Sequence, residues 1–224
     1  MTKVILFNSP KGSGKSELSR DLSAYIWTEG ECTQTLRFKD KLFELTKAMF
    51  NINNDKFFDI YEDRIKKETP RAEFVVTYSA FINLSTLIDV HVEESRWIEE
   101  SKVMLSCREA MIYVSEILIK PSFGKMYFGE SFVKGIDSRA DFVIDDSAGF
   151  LEELIPIVQV VGAENILIVK VKRDGHTEWG ADSRGWVSYE GVAEVEVDNN
   201  GTIEQGCTNT TDAVVSWLHS KEEK

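Results

Sequence analysis

The residues best suited to chemistry lie near the start, in the stretch VILFNSPKGSGKS that spans 4–16. It follows the phosphate-loop pattern G-x-x-x-x-G-K-[ST], except that Ser9 stands where the first Gly is expected, while Gly14, Lys15 and Ser16 are in place. Gly12 and Gly14 leave room for backbone N–H groups to turn toward phosphate oxygens, and Ser13 between them is a further ATP-binding candidate. Lys15 would reach the β- and γ-phosphates, and the Ser16 hydroxyl would sit on Mg²⁺. The cofactors expected from this loop are therefore ATP and Mg²⁺.

Other chemistry-bearing residues recur at junctions along the chain. Asp145 and Asp146 close the apolar run DFVID (141–145), where a phosphate-loop fold needs carboxylates to hold Mg²⁺ directly or through water. Asp145 is the metal candidate and Asp146 is placed with the substrate, although sequence leaves open which of the two supports the ion. Arg37 and Lys39 lie where a short strand meets a helix, and Arg64, Lys66, Lys67 and Arg71 give one segment local positive charge. Arg108 falls in the first turn of a helix, where a cation opposes the helix dipole, so a role outside the helix such as holding phosphate is favoured. Arg173 follows a core strand and could stack on an adenine ring, whereas His176 reads as a surface histidine.

These groups need positioning elements, and the hydrophobic pattern supplies them. Val4 to Phe7 read as a strand and 17–27 as a helix that stops before Gly30. A second strand over 33–38 and helix over 40–50 complete a βαβα opening, which puts Arg37 and Lys39 at the carboxyl edge of a parallel sheet, where such folds bind ligands. The polar segment 51–70 reads as an excursion from the sheet. From 72 to 134 the chain looks largely helical, with 106–120 the clearest helix: Ser106 as cap, Glu109 three residues on, and Pro121 as its end. A strand at 141–145, a helix at 152–161 and the continuously apolar strand 165–171 follow, the last implying a sheet buried on both faces. A loop at 172–185, a strand with an Asn-Asn-Gly turn within 191–205, a helix at 212–219 and the solvated tail KEEK close the chain.

Bulk properties narrow the function classes. The chain has 224 residues, 42% of them hydrophobic, enough for a full core, and its net charge is −12 with a pI near 4.8. Such acidity argues against a broad nucleic-acid surface and against docking on anionic membranes. Cys32, Cys107 and Cys207 are odd in number and widely spaced, which proposes neither a disulfide framework nor a zinc site. No run approaches the roughly 18 apolar residues of a membrane helix, and the N-terminal residues carry no export signal, so a cytoplasmic location is expected. The expected partners are small-molecule nucleotides, with a homodimer left open.

In order along the chain, the loop at 11–16, Phe38-Lys39-Asp40-Lys41-Leu42, YEDRIKKE, Ser106-Cys107-Arg108-Glu109-Ala110-Met111, Met126-Tyr127-Phe128, the strand into Asp145-Asp146-Ser147 and the closing Asn-Gly turn and helix resemble the phage-type deoxynucleoside monophosphate kinases. That resemblance implies a phosphoryl transfer from ATP to a (d)NMP, in host cytoplasm if the chain is phage-encoded. The implied fold class is α/β, a three-layer P-loop fold with a central parallel sheet flanked by helices. A mainly helical acceptor-binding and lid region at about 51–138 would interrupt a core of 1–50 and 139–224. By position, Lys11 resembles a lysine facing the acceptor phosphate, Lys39 one in the monophosphate site, and Arg64 and Arg108 phosphate-binding arginines. Lys15 and Arg108 become the catalytic candidates, and Phe38, Phe128 and Asp146 join the substrate site. The chain departs from the family at Ala148, where an Arg is frequent, and at Ile112 and Ser115-Glu116, which replace Gln and Gly-Thr. Kinases of another small acceptor, such as dephospho-coenzyme A or a sugar, and a nucleotide-binding protein with weakened catalysis stay open.

Overall fold

The computed structural model describes residues 2–90, 93–179 and 184–222. Two earlier expectations, part of the loop at 172–185 and the end of the KEEK tail, fall on 180–183 and 223–224 and lie outside the described residues. The chain divides into two compact units, residues 1–39 with 128–224 and residues 40–127. Each is described by itself.

The first unit is built on five parallel strands: β1 (Lys3–Asn8), β2 (Thr33–Thr35), β3 (Phe142–Asp145), β4 (Ile166–Lys172) and β5 (Ala193–Asp198). Their order across the sheet is β2-β3-β1-β4-β5. Val4–Phe7 of β1 and Ile166–Val169 of β4 are apolar without a break because both faces are covered. Val4, Leu6, Ile166 and Ile168 pack with Leu154 and Ile157 of the helix Leu151–Val161. On the opposite face, Ile5, Phe7, Leu167 and Val169 meet Leu18 and Leu22 of the helix Lys15–Thr28, together with Val214 and Trp217 of the helix Ile203–Glu222. Helix, sheet and helix therefore form three layers.

The chain leaves β1 toward β2, returns through β3 between them, and then passes to β4 on the other side of β1. That reversal puts the carboxyl end of β1 at the switch point where open parallel sheets bind ligands. The second strand is shorter than its sequence suggests: it ends at Thr35, and the next helix (Phe38–Phe50) starts at Phe38 rather than Asp40. Phe38 is drawn inward by stacking on Phe132, with ring centroids 4.5 Å apart. The last helix begins at Ile203, well before the expected 212.

The second unit corrects the helical reading of 72–134. Arg71–Thr77, Lys102–Leu105 and Trp97–Glu99 form an antiparallel sheet in that spatial order. Phe74 and Val76 on one strand and Val103 and Leu105 on another are buried two residues apart, the period of a half-covered strand. Two short helices, Asn54–Glu62 and Arg64–Glu68, occupy the polar excursion, capped by the side chains of Asn53 and Asp63. The core gathers Phe43, Phe57, Phe74, Phe81, Leu84 and Leu105.

Ser106 and Glu109 form the expected capping box at the helix Cys107–Ile112. Pro121 does not end that helical run, as its sequence position suggested. The run widens into a π-helical stretch over Tyr113–Ile119 and closes as Lys120–Phe123, with Gly124 at φ 99° beyond it. Pro121 stands at the start of the closing turn, where its missing N–H costs little. Among the described residues no helix is long and apolar enough to cross a membrane.

Candidate functional site

Strand β1 delivers the chain into a loop whose turns require glycine: Gly12 has φ 85° and Gly14 φ 95°. Ser9, in the place of the first Gly, needs no left-handed backbone, since Asn51 is the one non-glycine with positive φ among the described residues. Its Oγ instead hydrogen-bonds the Ser13 Oγ at 2.5 Å, closing the loop through side chains. Gly14 is the N-cap of the helix Lys15–Thr28 and offers no side-chain cap, which leaves first-turn N–H groups and the positive helix end for an anion. Lys15 is buried and folded across the loop, donating from Nζ to the carbonyls of Ser9 and, at 2.9 Å, Pro10. The loop has the build of a P-loop.

Polar side chains that the sequence did not single out brace this loop and the strand before it. Asn8, wholly buried, donates to the carbonyls of Ala148 (3.1 Å) and Gly185 (3.0 Å) and accepts from the Val187 N–H (2.9 Å), tying the end of β1 to two neighbouring segments. Asn199 of the Asn-Asn-Gly turn donates from Nδ2 to the Ser13 carbonyl at 2.7 Å. The signal available was a polar residue directly after an apolar strand, which also describes an ordinary turn. Arg173 sends Nη1 toward the Gly12 carbonyl (3.4 Å), and His176 Nδ1 donates to the Lys11 carbonyl (3.0 Å), so both hold the loop's backbone. Lys11 itself is exposed.

The register Leu6↔Asp145 sets the end of β3 beside β1. Ser16 Oγ donates to Asp146 Oδ2 at 2.5 Å, and Lys39 Nζ lies 3.4 Å from Asp146 Oδ1. Burial alone would raise the Asp146 carboxyl, but Lys39, Ser16 and Arg37 together hold it below the usual carboxylate value. Asp145 is fully buried and behaves oppositely. Burial first, and the neighbouring Asp146 charge next among the raising causes, push it up to about 7 against the opposing hydrogen bond from Ser147 Oγ (2.5 Å). Its Oδ2 has no hydrogen-bond partner among the described residues. Of the two aspartates, Asp146 is the one that touches Ser16.

Phe38 and Phe128 are core side chains, 3% and 5% exposed. Phe38 and Ala148 line one small, mostly apolar cavity beside Asn8. Ala148, 4% exposed, therefore makes the position where the resembling kinases often carry Arg a packing position, and the cations acting on Asp146 are Lys39 and Arg37.

In the second unit, Arg64 is exposed at the start of its helix with no ion pair among the described residues. Arg108 lies in the first turn of Cys107–Ile112, its Nη1 3.8 Å from Glu68. Much of the surrounding positive charge is paired: Lys66 with Asp59 (2.7 Å), Arg71 with Glu73 (3.3 Å), and Lys67 over the Tyr61 ring (3.8 Å). Glu116 accepts from Ser115 Oγ (2.8 Å) and pairs with Lys120 (2.7 Å), so its charge is locally compensated.

No family model matches the chain, and no curated protein matches it. Among solved structures it is similar to an unliganded sugar kinase from Janibacter sp., 9% identical over 98% of this chain and 95% of that one, with a TM-score of 0.43. It is also similar to pNOB8 ParA, 12% identical over 77% of this chain and 52% of that one, with a TM-score of 0.34. Neither likeness is close enough to carry a fold or an activity across.

Proposed function

We propose that this protein transfers the γ-phosphate of ATP to a (deoxy)nucleoside monophosphate, giving the diphosphate and ADP. The observation that carries the reading is the contact between Ser16 and Asp146, with Lys39 on the same carboxylate, at the end of a glycine loop that caps a helix. Phosphoryl transfer asks little covalent work of a protein and depends on positioning and charge neutralisation. A loop that presents uncapped helix N–H groups and a lysine, beside a hydroxyl–carboxylate pair, supplies both.

Mg²⁺ fits these residues. Ser16 and Asp146 would hold it, and the unpartnered Asp145 Oδ2 is a buried polar atom that a bound ion and its water would satisfy. Among the described residues no group of three or more His, Cys, Asp or Glu is arranged for a metal, so phosphate and water would complete its ligands. When bound, the ion neutralises charge on the phosphates. Lys15 would exchange its loop carbonyls for phosphate oxygens, and Gly12, Ser13 and Gly14 would turn N–H groups to them. Arg173 would lie on the ATP side. Lys11, Lys39, Arg64 and Arg108 are assigned to the acceptor by resemblance, with Asp146 beside Lys39 and with Phe38 and Phe128 shaping the site from the core.

A coupled ADP-release assay with Mg-ATP and every common NMP and dNMP tests this, with Lys15→Ala as blank. Strong stimulation by one or a few monophosphates, lost in the variant, is expected. ATP binding without stimulation by any of them would remove the monophosphate kinase reading.

A further inference from the structure

Asn199 stands outside the loop motif, in a turn between β5 and the last helix, yet it reaches the centre of the loop. Its backbone N–H donates to the Lys172 carbonyl at the end of β4 (2.8 Å), and the residue as a whole is 8% exposed. The Nδ2 group donates to the Ser13 carbonyl at 2.7 Å. Two glycines make room for this amide. A Cβ on Gly14 would overlap Asn199 Nδ2, and a Cβ on Gly206 would overlap Asn199 Oδ1. Gly206 is itself fixed in the first turn of Ile203–Glu222 by donating its N–H to the Thr202 carbonyl (3.0 Å). The amide thus bridges the phosphate loop and the C-terminal helix.

The consequence lies in the Ser13–Gly14 peptide. In a trans peptide the C=O and the following N–H point in opposite directions, and the chain has no cis bonds among its described residues. Holding the Ser13 carbonyl toward Asn199 therefore turns the Gly14 N–H to the other side. Without that hold, glycine's permissive backbone would let the peptide plane rotate and present a carbonyl where an N–H belongs. A carbonyl facing phosphate is repulsive, whereas an N–H is a ready donor.

We infer that Asn199 is a positioning residue for phosphate binding, fixing the Ser13–Gly14 peptide in its donor orientation with Gly14 and Gly206 as the space it requires. This rests on the nucleotide-binding part of the proposed function.

The test is calorimetric binding of Mg-ADP to the wild-type chain, Asn199→Ala, Asn199→Asp and Gly206→Ala, together with hydrogen exchange of the peptide covering 9–16 in the absence of nucleotide. Losing the one held carbonyl is expected to weaken nucleotide binding about tenfold in Asn199→Ala. Asn199→Asp, nearly the same shape but without the donor, should weaken it at least as much, which a purely space-filling role would not. Exchange over 9–16 should quicken in both while melting temperatures stay close to wild type. Gly206→Ala, which displaces the amide, should mimic Asn199→Ala and add little to it in the double variant. If Gly206→Ala proves unstable, the two Asn199 variants still decide the matter. Wild-type affinity and exchange in both Asn199 variants would overturn the inference while leaving the kinase reading intact. A wild-type chain that takes up no nucleotide would overturn both.

Discussion

Ser16 Oγ donates to Asp146 Oδ2 at 2.5 Å, joining residues 130 positions apart. The contact links the first turn of the loop's helix to the residue after β3. Because Lys39 and Arg37 also act on Asp146, its carboxylate is kept charged against the pull of burial. Asp146→Asn keeps the shape and removes the charge. The apparent affinity for Mg²⁺ in the presence of ADP should fall about 10–100-fold, read by calorimetric titration of the metal. Unchanged Mg²⁺ dependence would take Asp146 out of the metal site.

The Arg108 side chain is one-third exposed, with Nη1 3.8 Å from Glu68 Oε1, and a planar guanidinium is suited to holding phosphate through two parallel hydrogen bonds. Arg108→Ala should raise the acceptor KM or lower kcat while the ATP KM changes little, as steady-state kinetics with both substrates varied would record. A variant with unaltered acceptor kinetics would remove the residue from the site.

Asp145 gives a pH signature with a definite sign. Its ordinary value is 3.8 and its folded value about 7, so between those limits the folded chain keeps a proton that the unfolded chain has lost. The stability it contributes is full below 3.8 and declines as pH rises toward 7. Asp145→Asn abolishes that titration. Its melting temperature relative to wild type should climb from pH 4 to pH 7 and then level off. A difference that stays constant across that range would contradict the raised value.

Ser106 and Glu109 cap the helix that carries Arg108, and Arg96 Nη1 donates to Glu109 Oε2 at 2.8 Å. Ser106→Ala should cost about 1 kcal/mol, read by urea unfolding. Because Ser106 and Glu109 are both nearly buried, a neutral substitution would mean that the cap is replaced by another contact.

Where short-range pattern was enough, the fold could be read directly. Val4 to Phe7, the 165–171 run and the glycines at 12 and 14 each announce their conformation, because a twice-covered strand reads as a near-continuous apolar run and a left-handed turn excludes most side chains. The antiparallel sheet of the second unit was harder to see. Two of its strands are only three and four residues long, and the apolar Val75 and Met104 sit between the buried pairs Phe74/Val76 and Val103/Leu105, so the two-residue burial period does not show as an alternation in the sequence. Pro121 misled for a related reason: its effect depends on the helix widening just before it, which no local rule encodes.

By itself, then, the sequence determined the phosphate loop, the parallel-sheet class and the set of charged residues available for chemistry. Only the tertiary structure decided their pairing. It joined Ser16 to Asp146 rather than Asp145, buried Ala148 where the resembling kinases often carry Arg, paired Glu116 with Lys120, and brought Asn8 and Asn199 to brace the loop and its strand. Those contacts span long separations, and they follow from strand order and register, which put distant side chains within a few ångströms. Hydrogen bonds and ion pairs act only at that range, so spacing along the chain carries no trace of them.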